Sequence, residues 1–273
     1  MPPAENLDHP RLLVSGSAGD AVTELVIPAL LLRTPGPAWS QLVHVYVPHG
    51  PTVAFSGRDL RSPGIAEATE VARAAGFEVV VRSPGGRMVA YDSGAVVIDH
   101  LDSTTDIRQA GRSTFAANAE SHVRVLRALG AVDARIGEVD GEYCPGEFSI
   151  NVGGVAKVVG SAQRVTATGS LFSTVVQVNM SDRVRAVITD VSDALGYDLR
   201  TSSIAGLADH APALTAEEVA AAFVADYRDR LGMTDGQLPG EVAEHASAVA
   251  SRVNGSSPFR VDDWTRAHPV PSA

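Results

Sequence analysis

The chain has 273 residues, 45% of them hydrophobic, and a formal net charge of −10. This length and apolar fraction suffice for a packed globule of one large domain, and the acidic balance argues against a nucleic-acid binder. A single cysteine excludes an intramolecular disulfide and fits a reducing cytoplasm. The first residues lack the pattern of a signal peptide, and the longest apolar stretch is far shorter than a membrane span. We therefore expect a cytoplasmic protein without membrane segments.

The first half of the chain mixes predicted helices with predicted strands. Helical composition covers 19–33, 64–75 and 105–129. Strand-like runs cover 42–47, 52–55, 78–82, 87–91 and 95–98. The short turn 92–94 predicts that the last two of these strands pair with each other.

The second half begins with strands and ends with helices. Predicted strands cover 148–152, 155–165 and 171–178, and the first two are joined by Gly153-Gly154, a two-residue hairpin signal. Predicted helices cover 181–195, 215–231 and 241–253, the second opened by a capping box of Thr215 and Glu218. The pattern predicts a single α+β domain over 1–273, with a mixed or antiparallel β-sheet flanked by helices. Its core covers about 15–200, its helical C-terminal part about 201–255, and the tail beyond is expected to be irregular.

The only lysine and the only cysteine lie thirteen residues apart, at Lys157 and Cys144. Arginine supplies every other basic side chain, so the exception indicates a position that needs a compact ammonium. Strand periodicity places Lys157 between two valines on one face, so we expect it to be half-buried and its ammonium to need an anionic partner. Cys144 lies in a polar loop, where a thiol near an ammonium can act as a nucleophile. A strand-edge lysine and an incidental thiol are the structural alternatives.

A second candidate site is the glycine pair Gly85-Gly86, flanked by Arg82 and Arg87. Adjacent glycines let the backbone approach a ligand closely, and the arginines could neutralise a phosphate or carboxylate. A glycine turn with two solvent-facing arginines is the alternative, and no nucleotide-binding motif is present. The eight histidines form no metal-binding pattern, so no metal site is predicted.

In this order, Arg82…Gly85-Gly86-Arg87-Met88-Val89 and Lys157-Val158-Val159-Gly160-Ser161-Ala162-Gln163 resemble the two motifs of the biotin/lipoate A/B protein ligase family. That family's motifs read approximately R-R-x-x-G-G-(G/R)-x-V-x-(H/Y) and K-(I/V)-x-G-(S/T)-A-Q. The lysine motif is the specific one, and the likeness covers roughly 15–200. One of the paired arginines is missing here, and Tyr91 stands at the His/Tyr position.

The resemblance implies the class II biotin/lipoate ligase-like catalytic fold and an enzyme that attaches a lipoyl or octanoyl group to one lysine of a carrier domain. The implied acceptors are lipoyl carrier domains of 2-oxoacid dehydrogenases or the glycine cleavage H protein. Lys157 would hold the acyl carbonyl oxygen and stabilise developing negative charge. The resemblance implies that the acyl pocket is lined by Arg82, Gly85, Gly86, Arg87, Val89, Tyr91, Gly160, Ser161 and Ala162.

Two mechanisms stay open. In the favoured one, Cys144 takes octanoyl from acyl carrier protein as a thioester and passes it on without a cofactor. One octanoyltransferase branch of the family has its cysteine in the loop before the lysine strand, where Cys144 falls. In the other, the chain is a ligase that activates free lipoate with ATP and Mg²⁺, and Cys144 has no role. A non-catalytic acyl- or biotin-binding relative is a third reading.

Overall fold

The computed structural model describes residues 9–34, 36–103, 111–211, 213–251 and 257–268. The strands of these residues are β1 (Arg11–Ser15), β2 (Gln41–Tyr46), β3 (Thr52–Phe55), β4 (Glu78–Val81), β5 (Val89–Tyr91), β6 (Ala95–Asp102), β7 (Ala134–Ile136), β8 (Ile150–Val152), β9 (Ala156–Thr166), β10 (Gly169–Gln177) and β11 (Thr234–Asp235). The α-helices are α1 (Ala21–Leu31), α2 (Ile65–Ala74), α3 (Arg112–Ala128), α4 (Asp182–Ala194), α5 (Ala216–Leu231), α6 (Gly240–Ala250) and α7 (Val261–Ala267).

The strands form two sheets. The larger has eight strands in the order β11-β1-β2-β6-β10-β9-β8-β7, and the smaller has three in the order β4-β3-β5. Each sheet is mixed: β1 is parallel to β2 and β11, and β3 is parallel to β4, whereas the other neighbours are antiparallel. The predicted fold class, a mixed sheet flanked by helices, is therefore confirmed.

Side-chain alternation along the strands divides the core into three layers. One face of the larger sheet packs against α3 and α5. Its other face packs against α1, α6 and the inner face of the smaller sheet. The outer face of the smaller sheet is covered by α2 and α4. A space between two sheets is thus lined from both sides by apolar strand residues, and the candidate site opens into it.

Several local predictions are confirmed by the structure. The hairpin between β8 and β9 turns at Gly153 and Gly154, as predicted, with φ angles of +65° and +75°, but Val152 pairs with Ala156, so Val155 joins the glycines in a three-residue connection. Thr215 and Glu218 form the predicted capping box at the start of α5. The predicted start of α3, at 105–110, and the predicted end of α6, at 252–253, lie outside the described residues.

The predicted pairing of β5 with β6 is wrong. The two strands belong to different sheets, because β5 pairs with β3 while β6 lies between β2 and β10. The turn between them passes the chain from one sheet to the other. At this turn a β-carbon on Gly94 would lie 2.1 Å from the carbonyl oxygen of Asn179, so only glycine fits. Sequence periodicity also missed β1, β7 and β11.

The C-terminal third is joined to both sheets. β11 extends the larger sheet beside β1, and the carbonyl oxygen of Phe259 accepts a hydrogen bond of 2.8 Å from Val81 of β4. Ile204 forms a bridge beside Lys157 of β9. The tail was expected to be irregular, but α7 lies within it and packs against the outer core through Val261. No helix of the described residues is both long and apolar enough to cross a membrane.

Candidate functional site

Four segments of the chain meet at one pocket beside the larger sheet. They are the loop between β4 and β5 with the start of β5, the loop between β7 and β8, strand β9 and strand β10. Eight of the eleven predicted site residues lie there, together with four that sequence reasoning did not name. The pocket is lined by Arg82, Arg87, Met88, Val89, Tyr143, Cys144, Lys157, Gly160, Ser161, Ala162, Ser173 and Val175.

Lys157 is almost fully buried, at 3% exposure, although a half-buried position was expected. Its Nζ donates to Oε1 of Glu142 over 3.0 Å and to the carbonyl oxygen of Cys144 over 2.5 Å. A β-carbon at Gly160 would lie 3.2 Å from Cε of Lys157, so the glycine of the lysine motif leaves room for this side chain. An ammonium has three protons, and these two contacts leave the third available to a ligand in the pocket.

Glu142 is the anionic partner that a buried lysine requires, and the sequence analysis did not identify it. The side chain is fully buried and also accepts hydrogen bonds from the backbone N–H of Val139 and from the hydroxyl of Ser149. These contacts hold the loop 137–149 in a fixed conformation around the carboxylate. The ion pair therefore fixes both the lysine head group and the segment that carries Cys144.

Cys144 is partly exposed at the pocket, and its Sγ accepts a hydrogen bond of 3.3 Å from the backbone N–H of Arg87. A β-carbon at Gly86 would lie 2.9 Å from Nη2 of Arg82 and 3.3 Å from Sγ of Cys144, and Gly86 has a φ of +92°. Glycine is required here by both the conformation and the close approach. The glycine motif is thus in direct contact with the loop 137–149, which carries Cys144 and is called the cysteine loop below.

The two arginines of the glycine motif are bound to the protein and do not face solvent freely. Nη2 of Arg82 donates to the carbonyl oxygens of Gly85 and Arg87, each over 2.6 Å. The guanidinium of Arg87 donates to the carbonyl oxygen of Tyr143 and lies 4.4 Å above the ring of Tyr197. Gly85 and Gly86 shape the loop and are not among the pocket-lining residues.

A second cavity continues from the first, between the two sheets. Arg82, Val89, Ser173 and Val175 line both cavities. The remaining lining of this distal cavity is mostly apolar, with one buried carboxyl: Leu25, Pro28, Ala54, Ser83, Pro84, Tyr91, Val97, Asp99 and Leu171. Tyr91 lies here, away from Cys144. The two cavities adjoin through these shared residues and extend from Cys144 and Lys157 toward the space between the sheets, and we refer to them together as the passage.

A thiol, an ammonium and an apolar passage are the parts needed to hold a carbonyl at one end and an alkyl chain at the other. The chain matches the family model for the lipoyl protein ligase A/B catalytic domain over residues 29–228. It therefore belongs to this family, as the motif resemblance predicted.

Particular relatives are named as acyltransferases. The chain is 32% identical over 176 residues to an octanoyl-[GcvH]:protein N-octanoyltransferase of Geobacillus kaustophilus, covering 63% of this chain and 60% of the relative. It is 27% identical over 125 residues to a lipoyl-[GcvH]:protein N-lipoyltransferase of Listeria monocytogenes, covering 44% and 43%. The match thus spans about three fifths of the first relative's length.

Solved structures of the same fold are named as lipoate ligases. A lipoate protein ligase from T. acidophilum with bound lipoic acid aligns with a TM-score of 0.70 at 19% identity, covering 89% of this chain and 95% of the other. Lipoate-protein ligase A bound with ATP aligns with a TM-score of 0.67 at 20% identity, covering 93% and 98%. At this identity the likeness establishes the fold alone.

Proposed function

We propose that this chain is a thiol acyltransferase, which moves an octanoyl or lipoyl group onto a specific lysine of a lipoyl carrier domain through a thioester on Cys144. The observation that carries the proposal is that Cys144 and Lys157 line the same pocket at the mouth of an apolar passage. The family's lysine motif would by itself fit a ligase equally well. The position of the sole thiol favours the transferase.

The chemistry divides into two acyl exchanges. The sulfur of Cys144 attacks the donor's acyl carbonyl carbon, the bond from that carbon to the donor breaks, and the leaving group takes up the proton given up by the thiol. The acceptor's lysine amine then attacks the thioester, the carbon–sulfur bond breaks, and the sulfur regains a proton. Both steps place negative charge on the carbonyl oxygen. The third proton of Lys157 Nζ would stabilise that charge, while the N–H of Arg87 holds the sulfur of Cys144 in place.

The identity of the donor has two candidates. The resemblance to the octanoyltransferase branch of the family suggests acyl carrier protein, which presents its acyl group as a thioester. The names of the relatives favour the acylated glycine cleavage H protein, whose acyl group is held by an amide. The acceptors that we propose are the lipoyl domains of 2-oxoacid dehydrogenases or the H protein itself. A reducing cytoplasm, as expected from the lone cysteine, would keep Cys144 in the thiol form.

The test uses intact-protein mass spectrometry after incubation with each acyl donor. We expect an adduct of one octanoyl or lipoyl group that is removed by hydroxylamine and absent in Cys144→Ala. Because the chain has no other cysteine, the adduct is assigned without peptide mapping. Lys157→Arg should leave the adduct site intact but lower its rate of formation by at least about tenfold, since a planar guanidinium does not fit a pocket built for an ammonium.

A parallel incubation with free lipoate, ATP, Mg²⁺ and a carrier domain tests the ligase alternative. Carrier lipoylation that requires ATP and survives Cys144→Ala would reject the thioester route and assign the chain as a ligase. Full activity of Lys157→Arg in both assays would contradict the role of Lys157. Binding of an acyl ligand without any turnover would show a non-catalytic relative.

A further inference from the structure

The face of the larger sheet that looks toward α1 and the smaller sheet has a polar row across three strands. His44 of β2 is paired in register with Asp99 of β6, and Asp99 is paired with Ser173 of β10. The neighbouring positions on this face are apolar, including Val97, Leu101, Leu171 and Val175. Buried polar side chains on such a surface need hydrogen-bond partners, because an unpaired polar group in an apolar core is unfavourable.

Asp99 is the member of the row that reaches the distal cavity. It is 2% exposed and lines that cavity, while Ser173, its register partner on β10, lines both cavities. Among the residues that the structure describes, none forms a hydrogen bond with Oδ2 of Asp99. Buried carboxyl oxygens are nearly always hydrogen-bonded, so the empty side of this group points to a ligand with a polar atom.

The Asp99 carboxyl group needs a further hydrogen-bond partner in either protonation state. Burial raises the pKa of Asp99 to about 6, although the hydrogen bond from Ser173 and the nearby His44 oppose the shift. Near neutral pH both forms are therefore populated. The ionised carboxylate needs a donor, and the neutral acid needs an acceptor for its own proton. A plain alkyl chain offers neither.

We infer that Asp99 is a specificity-determining residue, which makes the distal cavity select medium-chain acyl groups with a hydrogen-bonding heteroatom on their far carbons over plain octanoyl. This rests on the proposed function, because it takes the passage from Cys144 to Asp99 as the acyl-chain site. Two chemistries share the required feature: the distal sulfur atoms of a lipoyl group, above all in the reduced dithiol form, and the hydroxyl of a hydroxyacyl chain. An octanoyl group has the same chain length as a lipoyl group but has no hydrogen-bonding heteroatom on its far carbons.

The binding test uses calorimetry with four free acids: octanoate, lipoate, reduced lipoate and ω-hydroxyoctanoate. We expect the wild-type protein to bind the hydroxylated or sulfur-containing chains at least about tenfold more tightly than octanoate, because a site with a buried polar group disfavours an analogue that leaves it unpaired. Asp99→Leu should reverse this order of affinities, so that octanoate binds most tightly. Asp102→Leu, three residues along the same strand and outside the cavity lining, should keep the wild-type order.

Asp99→Asn decides the question if the leucine variant does not fold. The carboxamide keeps hydrogen-bonding atoms, so the preference for chains with heteroatoms should persist. Unlike the carboxyl group, the carboxamide does not ionise between pH 5 and pH 7. Octanoate binding to the wild type should weaken as the pH rises from 5 to 7, and this dependence should vanish in Asp99→Asn. The other charged or titratable groups around Asp99 are Glu24 on α1, His44 and Tyr46 on β2, Tyr91 on β5, and Arg82 in the glycine loop.

Two outcomes separate this inference from the proposed function. Equal affinity for all four acids in the wild type and in Asp99→Leu, with a thioester still formed on Cys144, would overturn the inference alone. Absence of any adduct from octanoyl and lipoyl donors, with all four acids bound in the expected order, would reject the transferase and leave Asp99 as the selective group of an acyl-binding site. The relative affinities of reduced lipoate and ω-hydroxyoctanoate then tell whether sulfur or oxygen is the preferred partner.

Discussion

At the scale of single residues, the charge of Lys157 depends on Glu142. Both side chains are buried, with exposures of 3% and 0%, and they are joined at 3.0 Å. Removing one partner of such a pair leaves an uncompensated buried charge, which costs far more than an exposed ion pair contributes. The position of Cys144 depends on the same contact, because its carbonyl oxygen is bound to the lysine.

Glu142→Gln should therefore lower the free energy of unfolding by about 3–5 kcal/mol and slow thioester formation, because the ammonium loses its counter-charge. Urea unfolding and intact-mass kinetics measure the two effects. The control is Glu147→Gln in the same loop. This substitution removes an exposed ion pair with Arg112 and should change the free energy of unfolding and the rate of thioester formation only slightly. Equal effects of the two substitutions would show that the buried pair is unimportant.

Glu142 also shows what a single sequence does not reveal about the site. Lys157 stood out because it is the only lysine, and the lysine and glycine motifs supported a common pocket. Glu142 belongs to neither motif and lies fifteen residues from its partner, so only the closure of the loop 137–149 brings the two together. Ser173 and Val175 were missed for a similar reason, since they lie on β10, whose pairing with β9 brings them to the pocket.

At the scale of elements, the glycine loop 82–88 is held in place by Arg82. That guanidinium binds two carbonyl oxygens within the loop, and the loop in turn presents the N–H of Arg87 to Cys144. The motif thus acts here through the shape of the loop. The sequence predicted a glycine requirement but did not distinguish between the two glycines.

Gly86→Ala should slow thioester formation and destabilise the fold by about 1–2 kcal/mol, since its φ of +92° is unfavourable for a residue with a β-carbon. Gly85→Ala is the matched control, because its β-carbon would have no atom within 4 Å and its φ is not in the left-handed region. Intact-mass kinetics and urea unfolding apply to both variants. If the two variants show the same kinetics and the same stability, the close approach of Gly86 to Cys144 is not needed for thioester formation.

The element that the sequence predicted least well is the pair β5 and β6. A strand, a short turn and a second strand are normally a hairpin, and nothing local to 92–94 indicates otherwise. The actual partners, β3 for one strand and β2 and β10 for the other, are separated from them by tens of residues. The local sequence pattern located β5 and β6 correctly along the chain but paired them with each other, although they belong to different sheets.

At the scale of the whole molecule, the stability of the fold should depend on pH through two buried histidines. Burial lowers the pKa of His100 to about 4 and, with help from Arg230, that of His122 to about 3. Below about pH 6.5 the unfolded chain therefore binds more protons than the folded one, and the free energy of unfolding falls as the pH falls. Asp99 acts oppositely, because its pKa of about 6 is above the unfolded value.

Between pH 6 and pH 4 these three groups give a net uptake of about one proton on unfolding, which corresponds to about 1.4 kcal/mol per pH unit. His100→Gln should flatten the dependence, and Asp99→Asn should steepen it. Urea titrations at several pH values measure the slopes. A slope that neither substitution alters would exclude these groups as its source.

The joining of the C-terminal third to the rest of the chain also affects how the protein is made. Ile204 lies beside Lys157, the backbone of Arg200 is bound to Gly141 in the cysteine loop, and Phe259 is bound to β4. During synthesis, every residue of the two motifs is made before these segments exist. Contacts of such long sequence separation form late. The nascent chain therefore carries its thiol and its lysine in an unfinished pocket, and catalytic competence should arrive only after residues 200–259 have been made and have packed against it.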